Sequence, residues 1–174
     1  MPLLSNSRKN RLYMSFYVRS SKIDQFHTGL TLTPKNPSAG KLETWRYHVK
    51  NVIDPITKTE IWKYEGVLVP NTVVEMAACV FLGKLSSDVT SESINDLLER
   101  VPLKQDDKTW RCHDWVWDAV KALVDESILT NPNVNAQQIW QTGRKFAEGA
   151  GYATVAVPVC DVNGNGIHSE LRRS

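Results

Sequence analysis

Cys112 stands in the stretch Trp110-Arg111-Cys112-His113-Asp114-Trp115-Val116-Trp117, and the residues after it give it a place in a helix. Trp115, Val116, Ala119, Val120 and Leu123 follow it at the spacing that draws one buried stripe along a helix of 3.6 residues per turn, with Cys112 at its head. A thiol in a first helical turn lies beside unpaired backbone N–H groups and the positive end of the helix dipole, both of which favour the thiolate. That is one way of preparing a nucleophile. The competing reading is structural: free cysteine is among the most buried residue types, and a small core residue suits the head of a stripe.

A cysteine nucleophile needs a base within hydrogen-bond reach and a third polar group to orient the base. His27 opens the strand-like run Phe26-His27-Thr28-Gly29-Leu30-Thr31-Leu32-Thr33, and His48 lies in Trp45-Arg46-Tyr47-His48-Val49. Adjacent strands would bring the two together; the plainer alternative is that each is a half-buried strand histidine satisfied by a backbone carbonyl. His113 is the weaker base candidate, because neighbouring side chains diverge around a helix. Trp110 and Trp117 flank Cys112 and are candidate walls of a substrate pocket, although large aromatics also fill cores. Glu65 and Asp114 are candidate selectors of a cationic substrate. Asp161-Val162-Asn163-Gly164-Asn165-Gly166 copies the first six positions of a calcium-binding EF-hand loop, but Arg172 stands where the bidentate Glu belongs. It reads as a Gly/Asn-rich turn, and no metal or other cofactor is expected.

The elements that must position these residues follow from period and punctuation. Leu12 to Val18 alternates with the two-residue period of a strand, and a polar turn over Ser20 to Gln25 leads to the histidine strand. Trp45–Val49 reads as a short third strand and Ile61–Val69 as a fourth, in an antiparallel meander. Met76–Leu82 is a continuous apolar run, expected at the sheet centre. Ile94, Leu97, Leu98 and Val101 mark a short helix, with N-cap candidates Thr90, Ser91 and Ser93 and a stop at Pro102. After the Cys112 helix and the break at Asn131-Pro132, Asn135 caps a helix carrying Ile139, Trp140, Phe146 and Ala147. Ala153 to Val159 alternates again, as a last strand or as an extended tail over the sheet. Strands followed by helices predict an α+β fold, an antiparallel sheet packed on helices. Residues 1–10 are expected to be a flexible N-terminal arm, and 11–174 a single α+β domain.

The 174 residues are 41% hydrophobic and 23% charged, and the formal charge is +2. With a mean hydropathy of −0.34 and a pI of 8.4, that composition excludes a largely disordered chain and gives no default nucleic-acid partner. Cys79, Cys112 and Cys160 are too scattered for a disulfide framework or a zinc site, which fits a reducing compartment. No apolar run is long enough to span a membrane and the N-terminus has no leader-like core, so a cytoplasmic protein without membrane partners is expected.

The order Phe26-His27-Thr28-Gly29-Leu30, then Tyr47-His48-Val49, then Trp110-Arg111-Cys112-His113-Asp114-Trp115-Val116 resembles the circularly permuted papain-like proteins, including the lecithin:retinol acyltransferase-like group. It is also similar to small fungal proteins of unassigned function. The resemblance implies a permuted papain-like fold with Cys112 as nucleophile, His27 as general base and His48 as orienting group. Thr28 stands where an aromatic residue follows the first histidine in that group, and Arg111–Trp115 only echoes its Asn-Cys-Glu-His-Phe signature. The implied function is acyl transfer through a Cys112 thioester, with a small-molecule or peptide acyl substrate and hydrolysis or transfer as the second step. Two alternatives stand beside it. One is an amide-forming, cyclodipeptide-type synthase drawing on aminoacyl-tRNA, suggested by the small size and the basic ends Arg8-Lys9-Asn10-Arg11 and Arg172-Arg173. The other is a papain-like binding module without catalysis, in which Cys112 is buried with no histidine partner.

Overall fold

The computed structural model describes residues 9–19, 25–151 and 155–173. It contains β1 (Arg11–Val18), β2 (Phe26–Thr33), β3 (Leu42–Ile53), β4 (Glu60–Pro70), β5 (Met76–Lys84), α1 (Ser91–Leu98), α2 (Cys112–Asp125), α3 (Ala136–Gly149), β6 (Val159–Cys160) and β7 (Gly166–Ile167). The strands form one 7-stranded sheet in the order β4-β3-β2-β1-β5-β6-β7. Every pairing is antiparallel except β5 with β6, where Cys79 and Val80 lie beside Val159 and Cys160 in parallel register. The fold is α+β, mostly antiparallel, with three helices.

The helices pack on one face of the sheet because the strands present a continuous apolar surface there. Leu12, Met14 and Phe16 of β1 join Leu30 and Leu32 of β2, Tyr47 and Val49 of β3, and Ala78, Val80 and Leu82 of β5. Against them α2 buries Cys112, Trp115, Val116, Ala119, Val120 and Leu123, the whole of the expected stripe. Trp115 is 0% exposed, and a fully buried side chain of this class contributes about 2 kcal/mol or more. α3 lies so close to the sheet that a Cβ at Gly143 would sit 2.5 Å from Val80 Cγ2 and 2.6 Å from Phe16 Cε2. α1 opens at Thr90, whose side chain accepts from the Ser93 N–H at 3.0 Å, and α3 opens at Asn135, which accepts from Gln138 N–H at 2.9 Å.

The other face is covered near its middle by the C-terminal segment: Val157, Val159 and Leu171 pack on Tyr13, Tyr17, Met76 and Cys79. Arg173 donates to the Met76 carbonyl at 2.7 Å, and Arg11 pairs with Glu170 at 2.9 Å.

Several boundaries differ from the expectation. The third strand is not the short Trp45–Val49 but runs Leu42–Ile53, paired along its length with β4. The sheet centre is β1 rather than the Met76 run; β5 reads as continuously apolar because it is the next strand out and is also covered on both faces. The alternating tail yields only the two-residue β6 and an isolated bridge, Ala156 to Arg172. Residues 1–8 of the expected arm, most of the Ser20–Gln25 turn, and Ala153 and Thr154 of the tail lie outside the described residues. Asn10, placed in the arm, is tied to the residue after β5: its carbonyl accepts from Leu85 N–H at 2.9 Å. Among the described residues no helix is long and apolar enough to cross a membrane.

Candidate active site

Strand alternation sends Phe26, Thr28 and Leu30 toward the helices and His27, Gly29 and Thr31 to the other face, where Ser15 Oγ meets Thr31 Oγ1 at 2.7 Å. His48 takes the same face between the core residues Tyr47 and Val49. Gly29 is what lets β3 carry His48 close beneath β2: a Cβ at that position would stand 3.1 Å from His48 Cβ and 3.2 Å from the Tyr47 carbonyl. His27 Nε2 and His48 Nδ1 are 2.7 Å apart, with the rings edge to face at 4.9 Å. The β3–β4 register sets Glu65 directly opposite His48, and His48 Nε2 lies 3.0 Å from Glu65 Oε1. Lys50 donates to the second carboxylate oxygen, Oε2. The two histidines expected to meet do so, and a carboxylate ends the row.

Cys112 heads α2 on the helix face and is 1% exposed. It approaches the histidines at the end of the sheet, where Tyr17 pairs with His27 and Val18 with Phe26. Arg19, the residue just past β1, makes the connection: one atom, Nη2, lies 2.8 Å from His27 Nδ1 and 3.9 Å from Cys112 Sγ. One guanidinium atom therefore contacts both the expected nucleophile and the expected base. Sequence reasoning passed over Arg19. The signal was the hairpin register, since Arg19 N–H bonds the Gln25 carbonyl at 2.9 Å and so lies level with the entrance of the histidine strand.

Burial, then His48, Arg19 and Arg46, push the His27 imidazole down from its ordinary value of 6.5 to about 3. Burial also lowers His48, against the opposing pull of its hydrogen bond to Glu65. Both rings are neutral at pH 7, so the His48–Glu65 contact is a hydrogen bond from a neutral ring to a carboxylate. The hydrogen bonds from Lys50 and His48 hold Glu65 down to about 2. The other two thiols are pushed up to about 12 by burial, Cys79 beside Ser15 Oγ at 3.3 Å and Cys160 in the core.

The remaining candidates disperse. Both carboxylate oxygens of Glu65 are engaged, one by His48 and the other by Lys50. Asp114 caps its own helix, accepting from Arg111 N–H at 2.7 Å. Trp110 is 4% exposed and stands edge-on to Trp62 at 5.3 Å, in the core. Trp117 lines a cavity of about 400 Å³ with Val120, Val124, Pro132 and Val134, along the flank of α2 beyond its first turn. His113 is turned to α3, stacked on Trp140 at 4.3 Å. Thr28, in the place of the aromatic residue, accepts from Trp140 Nε1 at 3.1 Å. The Asp161 loop closes on itself, Asp161 Oδ1 accepting from the N–H groups of Asn163 at 2.9 Å and Asn165 at 3.0 Å. Among the described residues no group of three His, Cys, Asp or Glu side chains is placed to hold a metal ion.

No curated protein and no solved structure matches the chain. Its residues 9–152 match the Family of unknown function (DUF6914), and the chain belongs to that family.

Proposed function

We propose that the protein is a cysteine-dependent acyl-transfer enzyme of permuted papain-like type, with Cys112 as nucleophile, His27 as base and His48 as its orienting group. The observation that carries the reading is the row Cys112, Arg19, His27, His48, Glu65, in which His27 Nδ1 is directed to the same guanidinium atom that touches the sulfur. In the reaction His27 Nδ1 takes the thiol proton while sulfur bonds to the acyl carbon. The leaving group departs with that proton, and water or an amine then cleaves the thioester. Arg19 must leave Nδ1 for this to happen. Its charge is one of those that depress His27, so its departure frees the lone pair and raises the ring's proton affinity together. A substrate carrying negative charge, or a tetrahedral oxyanion beside the sulfur, gives the guanidinium a better partner than a neutral imidazole.

The burial of Cys112 and the engagement of His27 Nδ1 by Arg19 favour a second reading, a binding module on the same scaffold that performs no transfer. One experiment separates the two. The protein is exposed to a panel of activated acyl esters, and peptides are mapped for a hydroxylamine-labile acyl group. The enzyme reading expects that adduct on Cys112 and its loss in a folded His27→Ala variant. Acylation confined to lysines, or none, supports the module.

A further inference from the structure

The tautomers of the two histidines are fixed by their neighbours. A guanidinium has only donors, so His27 Nδ1, 2.8 Å from Arg19 Nη2, accepts and carries no proton. The single proton of neutral His27 is then on Nε2 and is donated to His48 Nδ1 at 2.7 Å. His48 in turn keeps its proton on Nε2 and donates it to Glu65 Oε1 at 3.0 Å. Starting from the other end gives the same result, because an ionised carboxylate has only acceptors. The row is thus held twice, by Arg19 at one end and by Glu65, anchored by Lys50, at the other.

We propose that Glu65 is a positioning residue that holds both imidazoles as Nε2–H tautomers, so that His27 Nδ1 stays unprotonated toward Cys112 when Arg19 moves away. The consequence for catalysis rests on the acyl-transfer reading; the tautomer assignment does not. With Arg19 displaced and no carboxylate at position 65, nothing in the row prevents the reversed arrangement. His48 Nδ1–H would then donate to His27 Nε2, and the His27 proton would sit on Nδ1, where it blocks transfer from the thiol. This differs from the use of Glu65 as a contact for a cationic substrate, since its oxygens are engaged by His48 and Lys50.

The test is the imidazole nitrogen spectrum of ¹⁵N-histidine-labelled full-length protein at pH 7. Wild type and Arg19→Met are expected to show His27 and His48 each with an unprotonated-type Nδ1 and a protonated-type Nε2. In Arg19→Met/Glu65→Leu, the second tautomer is expected to appear as shifts of both nitrogens toward averaged positions. Arg19→Met/Glu65→Gln is likewise expected to show averaged positions, because an amide offers His48 Nε2 both an acceptor oxygen and donor N–H groups where the carboxylate offers acceptors alone. Should leucine at 65 prevent folding, Glu65→Ala in the Arg19→Met background carries the same expectation. Mixed tautomers in Arg19→Met alone, or a single tautomer in the doubly substituted proteins, would overturn the proposal. These spectra are independent of chemistry at Cys112. Correct tautomers without acylation of Cys112 would therefore refute the acyl-transfer reading and leave the Glu65 assignment standing.

Discussion

Acidification should destabilise the protein through His27, and the size of the effect follows from where the ring sits. Its pKa falls from 6.5 in an ordinary setting to about 3 in the fold, with burial as the first cause. As pH drops below 6.5 the unfolded chain takes up a proton that the native state refuses, so the stability contributed by neutral His27 is complete above pH 6.5. It is lost progressively down to pH 3. At 1.36 kcal/mol per pH unit, the loss from this group by pH 5 is about 2 kcal/mol. His48 is shifted the same way and adds to it. The assay is urea unfolding of wild type and His27→Gln at pH 7 and pH 5. Wild type should lose about 2 kcal/mol more than the variant over that interval. Equal losses would show that His27 is not held neutral by its surroundings, and the electrostatic account of the site would fail.

Iodoacetamide at neutral pH should label Cys112 before Cys79 or Cys160, whose thiols burial pushes up to about 12, and peptide mapping would expose any other order. Gly143→Ala should cost about 1–3 kcal/mol in chemical denaturation, because the added methyl meets Val80 and Phe16 well inside contact distance; an unchanged midpoint would contradict this packing of α3. Thr90→Ala should cost about 1 kcal/mol by removing the cap of α1, read in the same way. In turnover, Cys112→Ala should be inactive and His27→Ala reduced on the order of 100-fold, with His48→Ala keeping a measurable fraction. Folded His27→Ala with full activity would remove His27 from the role of base.

What was legible in the sequence was whatever one element determines alone. The α2 stripe coincides with the buried set from Cys112 to Leu123 because helical period and burial are a single fact there. Thr90 and Asn135 cap because their side chains bond three residues on. Alternation in β2 likewise separates His27 from Phe26 and Thr28. What escaped depends on pairing between elements. Tyr13 and Tyr17 alternate with the apolar residues of β1 that face the helices, yet they are buried too, because the distant Val157 and Leu171 pack on them. β3 outruns its apolar centre because β4 pairs with the polar residues as well. Glu65 becomes the partner of His48 through strand register, and Arg19 joins Cys112 to His27 through a hairpin end that joins two faces of the sheet. Neither residue carries a local pattern that marks it.

The most direct test of the central claim is the single-turnover rate at which Cys112 is acylated by p-nitrophenyl acetate, followed by p-nitrophenolate release with the adduct located by peptide mass. The account predicts one acetyl group on Cys112, formed on the order of 100-fold more slowly in folded His27→Ala than in wild type. Equal rates in the two proteins, or acetylation that bypasses Cys112, would contradict it.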